Sequence, residues 1–341
     1  AQAVAGLAGA LSAALPSWLD SLDANLRGGC LLAGDGVLAD FVSAIPKRLT
    51  HLGLDLNHFS ARDARAVAAV LPSSLRELRL LFHGRSFAWL GVTGAENDGA
   101  EVLALALPAG LKRLHLMLES SDEGATALCR ALPRGLEELD LDFNLVASVH
   151  PRAQPSHLPE VLASSMPQSL TALRLRLADF TVSLPGLRAL TAALPKSLAD
   201  FRLDICCRNV GDEGAHMLAS AIPVGLKRLA LCLRDWRFTD NGARALALAI
   251  PIDLRHLKIV MSCSGIGSCG AQALVAAVKP GLQQLNLSFR QCGIGRDGEQ
   301  ALSSLARRWN AVPGSWVRVR EKTSPVCQAL DGCAEWELWD D

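Results

Sequence analysis

The chain has 341 residues, half of them hydrophobic, and its 34 Lys and Arg balance 34 Asp and Glu, leaving no formal net charge at pH 7. That balance argues against a surface built to hold nucleic-acid backbone, which needs a marked cationic excess. Tyr, the commonest interface anchor, is absent, so the seven Trp residues become more informative.

Residues 1–19, AQAVAGLAGALSAALPSWL, begin with Ala rather than Met and carry no charged side chain. The stretch is mostly Ala and Gly, contains Pro16, and falls short of the roughly 20 strongly apolar residues of a membrane span. It reads as the helical half of a first repeat, with Leu19 opening the strand half. An array starting in mid-repeat lacks the polar cap such arrays need. The expectation is therefore that an upstream segment was removed or that a partner covers this end. A cleaved targeting peptide would place the chain in an organelle, and without one a soluble cytoplasmic protein is the default.

From there a repeat runs down the chain. Its strand blocks open at Leu19, Leu49, Leu75, Leu111, Leu136, Leu170, Leu198, Leu226, Leu254 and Leu282, and the last four steps are all 28 residues. Each marker is followed at +3, +5 and +7 by apolar residues, as in Leu229, Leu231 and Leu233. Strict alternation is the period of a strand with one buried face. Counting back from Pro223, Ala215, Leu218, Ala219 and Ile222 form one stripe of an amphipathic helix. Gly99, Gly124, Gly186, Gly214 and Gly242 mark the start of that helix, where a small residue permits close backbone approach. The proline ends it. Neither half buries its apolar face alone, so the units must stack into a solenoid with strands on the concave side and helices on the convex side.

The blocks GAEVLALALP, GATALCRALP, GAHMLASAIP and GARALALAIP, the L-x-x-L-x-L strands and the 28-residue period resemble leucine-rich repeats of the ribonuclease-inhibitor-like class, over roughly residues 6–309. The resemblance implies an α/β leucine-rich-repeat solenoid, a horseshoe with a parallel concave β-sheet and convex helices. Its expected organisation is about ten units over 1–309 and a C-terminal cap with an acidic, Trp-rich tail over 310–341. It also implies a protein partner and no catalysis of its own. The same class serves as enzyme inhibitors and GTPase activators, and a structural subunit of a large assembly is a further reading. One departure stands out. The family usually places Asn or Cys at +8, whereas this chain has Asn57, His83, Glu119, Asn144, Ala178, Cys206, Arg234, Ser262 and Arg290 there. Most units lack the asparagine ladder, so the loops must be held differently.

Two intervals are long, 36 residues from Leu75 and 34 from Leu136, and the extra segments, 83–97 and 146–159, fall between a strand and its helix. In alternate units they project from one rim, about 10 Å apart, and such insertions often mark a binding side. The first carries Phe87 and Trp89, which either face a partner or fold back on their own unit. Beyond residue 309, residues 316–319 alternate like a final strand, and Trp336 and Trp339 sit in the acidic EWELWDD tail, which either closes the cap or docks into a neighbour.

The +4 and +6 positions of each strand point away from the core. There Asp140 and Asp142 should face Arg174 and Arg176 as a cross-strand charge ladder. Leu81 and Met117 on one side, and Cys232 and Val260 on the other, should flank this polar patch with apolar ones. Arg79, His115 and Arg202 belong to the same surface, and its mixed character suits protein recognition. Chemistry is not legible: there is no H-E-x-x-H, no phosphate loop and no motif that calls for a cofactor or a metal. The ten Cys form no zinc-type pairs. They read either as small buried residues or, at Cys327 and Cys333, as a local disulfide.

Overall fold

The computed structural model describes residues 15–26, 37–56, 61–82, 99–145, 156–207, 210–262, 265–290, 292–310 and 317–322. The first strands are β1 (Ser21–Asn25), β2 (His51–Leu56), β3 (Glu77–Phe82), β4 (Arg113–Ser120) and β5 (Glu138–Leu145). They are followed by β6 (Ala172–Thr181), β7 (Asp200–Cys206), β8 (Arg228–Arg234), β9 (His256–Ser262), β10 (Gln284–Arg290) and β11 (Val317–Lys322). Between them lie α1 (Val37–Ser43), α2 (Ala61–Val70), α3 (Gly99–Ala106), α4 (Asp122–Arg130) and α5 (Leu158–Ser165). The array continues with α6 (Leu184–Ala192), α7 (Gly211–Ala221), α8 (Asp240–Ala249), α9 (Ser268–Ala277) and α10 (Gly295–Asn310).

The eleven strands form one parallel sheet whose spatial order is the chain order. The phase read from the sequence is the register of that sheet. Leu22, Leu52, Leu78, Leu114 and Leu139 pair in one row, which runs on through Leu173, Phe201, Leu229, Leu257 and Leu285 to Val317. The strand expected near residue 316 is thus β11, added to the end of the sheet. Strands pack about 4.8 Å apart, whereas helices need about 8–10 Å. With one of each per unit, the array must curve with its strands inside. This is the leucine-rich-repeat solenoid that the sequence resembles.

The core is a single stack. Leu203, Leu231 and Ile259 lie side by side at +5, each 1 % exposed. From the other layer come the helical stripes, such as Ala243, Leu246 and Ala247 of α8 with its C-cap Ile250, all buried. The joint between helix and strand is a tight turn in which the marker leucine N–H donates to the proline carbonyl three residues earlier, as from Leu226 to Pro223 and from Leu254 to Pro251. Serines just before the marker tie successive units together. Ser74 donates to the Leu49 carbonyl, Ser169 to Leu136 and Ser197 to Leu170.

At the other end of the unit, the missing asparagine ladder has a substitute in two successive repeats. Asp212 of α7 accepts from the Thr239 N–H and hydroxyl and from the Gly242 N–H, which belong to the next unit. Asp240 of α8 does the same for Gly267 and Gly270. These carboxylates cap the first turn of the following helix, where amide groups have no intrahelical partner. At Gly242 and Gly270 this contact requires glycine. A Cβ on Gly242 would sit 2.8 Å from Asp212 Oδ1, and one on Gly270 would sit 2.6 Å from Asp240 Oδ1. In α7 and α8 these glycines lie two or three residues inside the helix rather than at its first residue.

Candidate functional site

The concave face is built from the +2, +4 and +6 rows of the strands. Register places Asp140 opposite Arg174 and Asp142 opposite Arg176, as the spacing predicted. Around them runs an alternating charge ladder. His115 Nε2 lies 3.2 Å from Asp140, and Arg174 lies 3.5 Å from Asp140 and 3.6 Å from Asp200. Arg202 holds Asp200 with two hydrogen bonds, at 3.1 and 3.3 Å. One row further along the strands, Arg176 sits between Asp142 at 3.0 Å and Asp204 at 3.8 Å, and Arg234 reaches Asp204 at 2.7 Å.

The face is not uniformly open. Arg79 is exposed and His115, Asp140 and Arg174 are partly exposed, lining with Glu77 and Arg113 a shallow groove over β3–β6 of about 90 Å³. In contrast, Asp142, Arg176, Asp204 and Arg202 are buried. The flanking apolar positions are buried as well, or nearly so. Leu81 and Val260 are buried, while Met117 and Cys232 are half-buried, so they do not form the open apolar patches expected from alternation alone. Sequence periodicity assigns a side chain to a face. It does not say what else lies on that face.

Burial sets the electrostatics of the ladder. Loss of solvent pushes the Asp142 carboxyl up to about 6, and Asp140 and Asp204 add to the rise, against the charge and hydrogen bond of Arg176. Arg234 is held above its ordinary value: desolvation works against the cation, but Asp204 and the neighbouring thiols outweigh it. On β9, desolvation draws His256 below its ordinary value, opposed by its hydrogen bond with Gln284. Burial raises the thiols of Cys129, Cys207 and Cys232, leaving them in the unreactive protonated form at neutral pH. Together with Cys206, Cys269 and Cys292 these are free cysteines. Cys327 and Cys333 lie outside the described residues.

The rim positions also fall partly outside the described residues. Both long intervals do lie between a strand and its helix, after β3 and after β5. Phe87 and Trp89, however, belong to 83–98, and Trp336 and Trp339 to 323–341, neither of which is described. Among the described residues no group of three or more His, Cys, Asp or Glu is placed to hold a metal ion, and no helix is long and apolar enough to cross a membrane. What the sequence did not single out is the +2 row, in which Glu77 pairs with Arg113 at 2.7 Å and Arg113 approaches Glu138 at 3.7 Å. The signal was present, because +2 falls on the same face as +4.

No family model matches the chain, and no curated protein matches it. Solved structures of similar chain path include the two that follow. The leucine-rich repeat-containing protein LegL7 from Legionella pneumophila is 14 % identical, with 87 % of this chain and 93 % of that chain covered and a TM-score of 0.39. The yeast Rad7 and Elc1 complex is 17 % identical, with 89 % and 79 % covered and a TM-score of 0.44. The fold assignment rests on strand order and register rather than on these likenesses.

Proposed function

We propose that the chain is a non-catalytic interaction module that holds a protein partner along the open part of its concave face, over β3–β6. The observation that carries this reading is the groove bearing Arg79, His115, Asp140 and Arg174. It is charged with both signs and fixed by cross-strand pairing. Leu81, Met117, Asp142 and Arg176 occupy the next row of the same face, and Arg202 lies opposite Arg174 on β7, so they belong to the same proposed surface. A rigid groove of alternating charge favours a partner with a complementary pattern and disfavours a uniformly anionic polymer. The two rim insertions, with Phe87 and Trp89, extend the same proposed surface because they follow β3 and β5, the strands that carry Arg79 and Asp140. The division at residue 309 between solenoid and cap belongs to the same proposal, with β11 as the cap's strand.

The test is to place a photoreactive p-benzoylphenylalanine at Arg79 in the full chain and irradiate it in extract. A covalent adduct with a defined protein is expected, and adducts to nucleic acid or to none would contradict the reading. The resemblance to ribonuclease-inhibitor-like repeats supports a narrower version, in which the partner is an enzyme and the chain regulates it. A change in the partner's turnover on adding the chain, or in GTP hydrolysis when the partner is a small GTPase, tests that version.

A further inference from the structure

Among the described residues, the large hydrophobic side chains that stand most exposed are Trp18, Leu105, Val224, Leu248 and Ile252, at 69 %, 93 %, 89 %, 88 % and 76 %. Single exposed hydrophobic residues are ordinary, but all five of these lie on one edge of the array, where helices end and strands begin. Leu105 and Leu248 are in the last turns of α3 and α8, and Trp18, Val224 and Ile252 are in the proline turns before β1, β8 and β9. The fold does not require them there. Other units put Arg130, Ser164 or Ser220 in the last helical turn and Gln168 or Lys196 after the proline. The same edge has surplus cations. Its described carboxylates Asp20, Glu137 and Asp253 are held by Arg48 at 3.1 Å, Lys112 at 2.9 Å and Lys227 at 3.7 Å. Lys47, Arg130, Arg134, Lys196 and Arg255 are exposed and form no ion pair with a described residue. Arg130 and Arg134 flank an open recess of about 560 Å³, bounded also by Ser164, Pro167 and Gln168. Acidic residues gather at the opposite edge, in the first turns of helices, as at Asp63, Glu101, Glu160 and Asp297. Helix dipoles favour that division of charge, but they do not account for the aliphatic side chains. The zero net charge thus hides two edges of opposite sign.

We propose that this edge docks peripherally on a bilayer containing anionic phospholipid. Trp18, Leu105, Val224, Leu248 and Ile252 enter the boundary between headgroups and acyl chains, and the surplus cations meet lipid phosphates and carboxylates. Interfacial binding of this kind adds burial of apolar side chains to attraction between basic residues and anionic lipid, and the edge offers both. A nucleic acid would use the cations and leave the aliphatic side chains in water. A protein partner would need a separate pocket for each of five side chains, spread from the turn before β1 to the turn before β9. A bilayer needs none, because it takes each side chain wherever it falls. The recess beside Arg130 and Arg134 suits a phosphate-bearing headgroup, which two guanidinium groups bind with charge-assisted hydrogen bonds. Docked this way, the acidic edge points away from the anionic surface. The concave groove over β3–β6 is a different surface, so the two proposals can fail separately.

Two measurements on the full chain test it. In the first, the chain is sedimented with vesicles of phosphatidylcholine and phosphatidylserine in equal parts, or of phosphatidylcholine alone. Binding to the mixed vesicles is expected to be at least tenfold tighter. It should weaken at least tenfold in Leu248→Ser/Ile252→Ser and in Arg130→Glu/Arg134→Glu, but not in Arg188→Glu, which alters the convex pair with Glu213. No sedimentation, equal affinity for both vesicles, unchanged binding by either edge variant, or an equal loss in Arg188→Glu would overturn the proposal. In the second, p-benzoylphenylalanine replaces Ile252 and the chain is irradiated with the mixed vesicles. Adducts to lipid acyl chains are expected. Adducts only between copies of the chain, or none, would overturn it.

Discussion

Replacing Arg176 with Met removes the cation that stands between two buried carboxylates, and it tests how dry the ladder is. Arg176 lies 3.0 Å from Asp142 and 3.8 Å from Asp204, and the three side chains are 10 %, 4 % and 3 % exposed. Asp204 keeps Arg234 at 2.7 Å, so Asp142 is the group left uncompensated. Its carboxyl already stands at about 6 rather than 3.8 because burial outweighs the help of Arg176. That difference corresponds to about 3 kcal/mol of strain in the ionised form at pH 7. Removing one member of a buried pair costs about 3–5 kcal/mol, and the Asp142 carboxyl should climb further.

The sign of the pH dependence follows. A carboxyl whose folded value exceeds its unfolded value contributes stability below about pH 3.8, which is lost as pH rises through about 6 in the natural chain and through a higher value in the variant. Urea unfolding followed by circular dichroism should therefore show Arg176→Met about 3–5 kcal/mol less stable at pH 7 and about 1 kcal/mol less affected at pH 5, because taking up one proton is worth about 1.4 kcal/mol per pH unit. Adding Asp142→Asn should recover most of the loss. A loss below about 1 kcal/mol at pH 7, as for an exposed pair, or an equal loss at both pH values, would refute the claim that this row is dry.

Leu231→Ala, in the most regular part of the core and 1 % exposed, should cost about 2–5 kcal/mol by leaving a cavity; a loss under about 1 kcal/mol would mean the strand phase is wrong. Gly242→Ala should destabilise by about 1–3 kcal/mol despite the better helix propensity of Ala, because the new Cβ meets Asp212 Oδ1 at 2.8 Å and Ala215 Cβ at 2.9 Å; an unchanged melting temperature would refute the packing argument. Asp212 is opposed by partial desolvation, but the hydrogen bonds from Thr239 and Gly242 hold its carboxyl below the usual range. Its contribution is present above about pH 3.8 and lost as pH falls through its folded value, so Asp212→Asn should make acid unfolding shallower. Of the six described cysteines, the exposed Cys269 should react quickly with a thiol reagent in the native state, and the buried Cys129, Cys207 and Cys292 should not react until the chain unfolds.

The stacking was legible because two incompatible periods alternate at a fixed interval, and that pattern constrains the fold before any contact is known. Marker leucines predicted the register residue by residue, from Leu22 to Leu285. The Asp140–Arg174 and Asp142–Arg176 pairs followed from the same counting. Three things were not legible. The carboxylates of Asp212 and Asp240 replace the asparagine ladder from a different place in the repeat, the first turn of the helix, so inspection of the +8 position misses them. The burial of Leu81, Val260 and Lys258 depends on what lies across the face, which alternation along a strand cannot encode. The passage of the +4 row from the exposed Arg79 to the buried Asn286 is likewise a tertiary fact.

Quantitative affinity capture with the full chain and two charge-reversal variants tests the central claim most directly. Arg79→Glu/Arg174→Glu inverts the open groove, whereas Arg188→Glu alters an exposed residue on the convex side, where it pairs with Glu213. The account predicts a protein recovered in stoichiometric amount by the natural chain and by the convex variant, and lost at least tenfold with the concave one. Equal recovery by all three chains would contradict it.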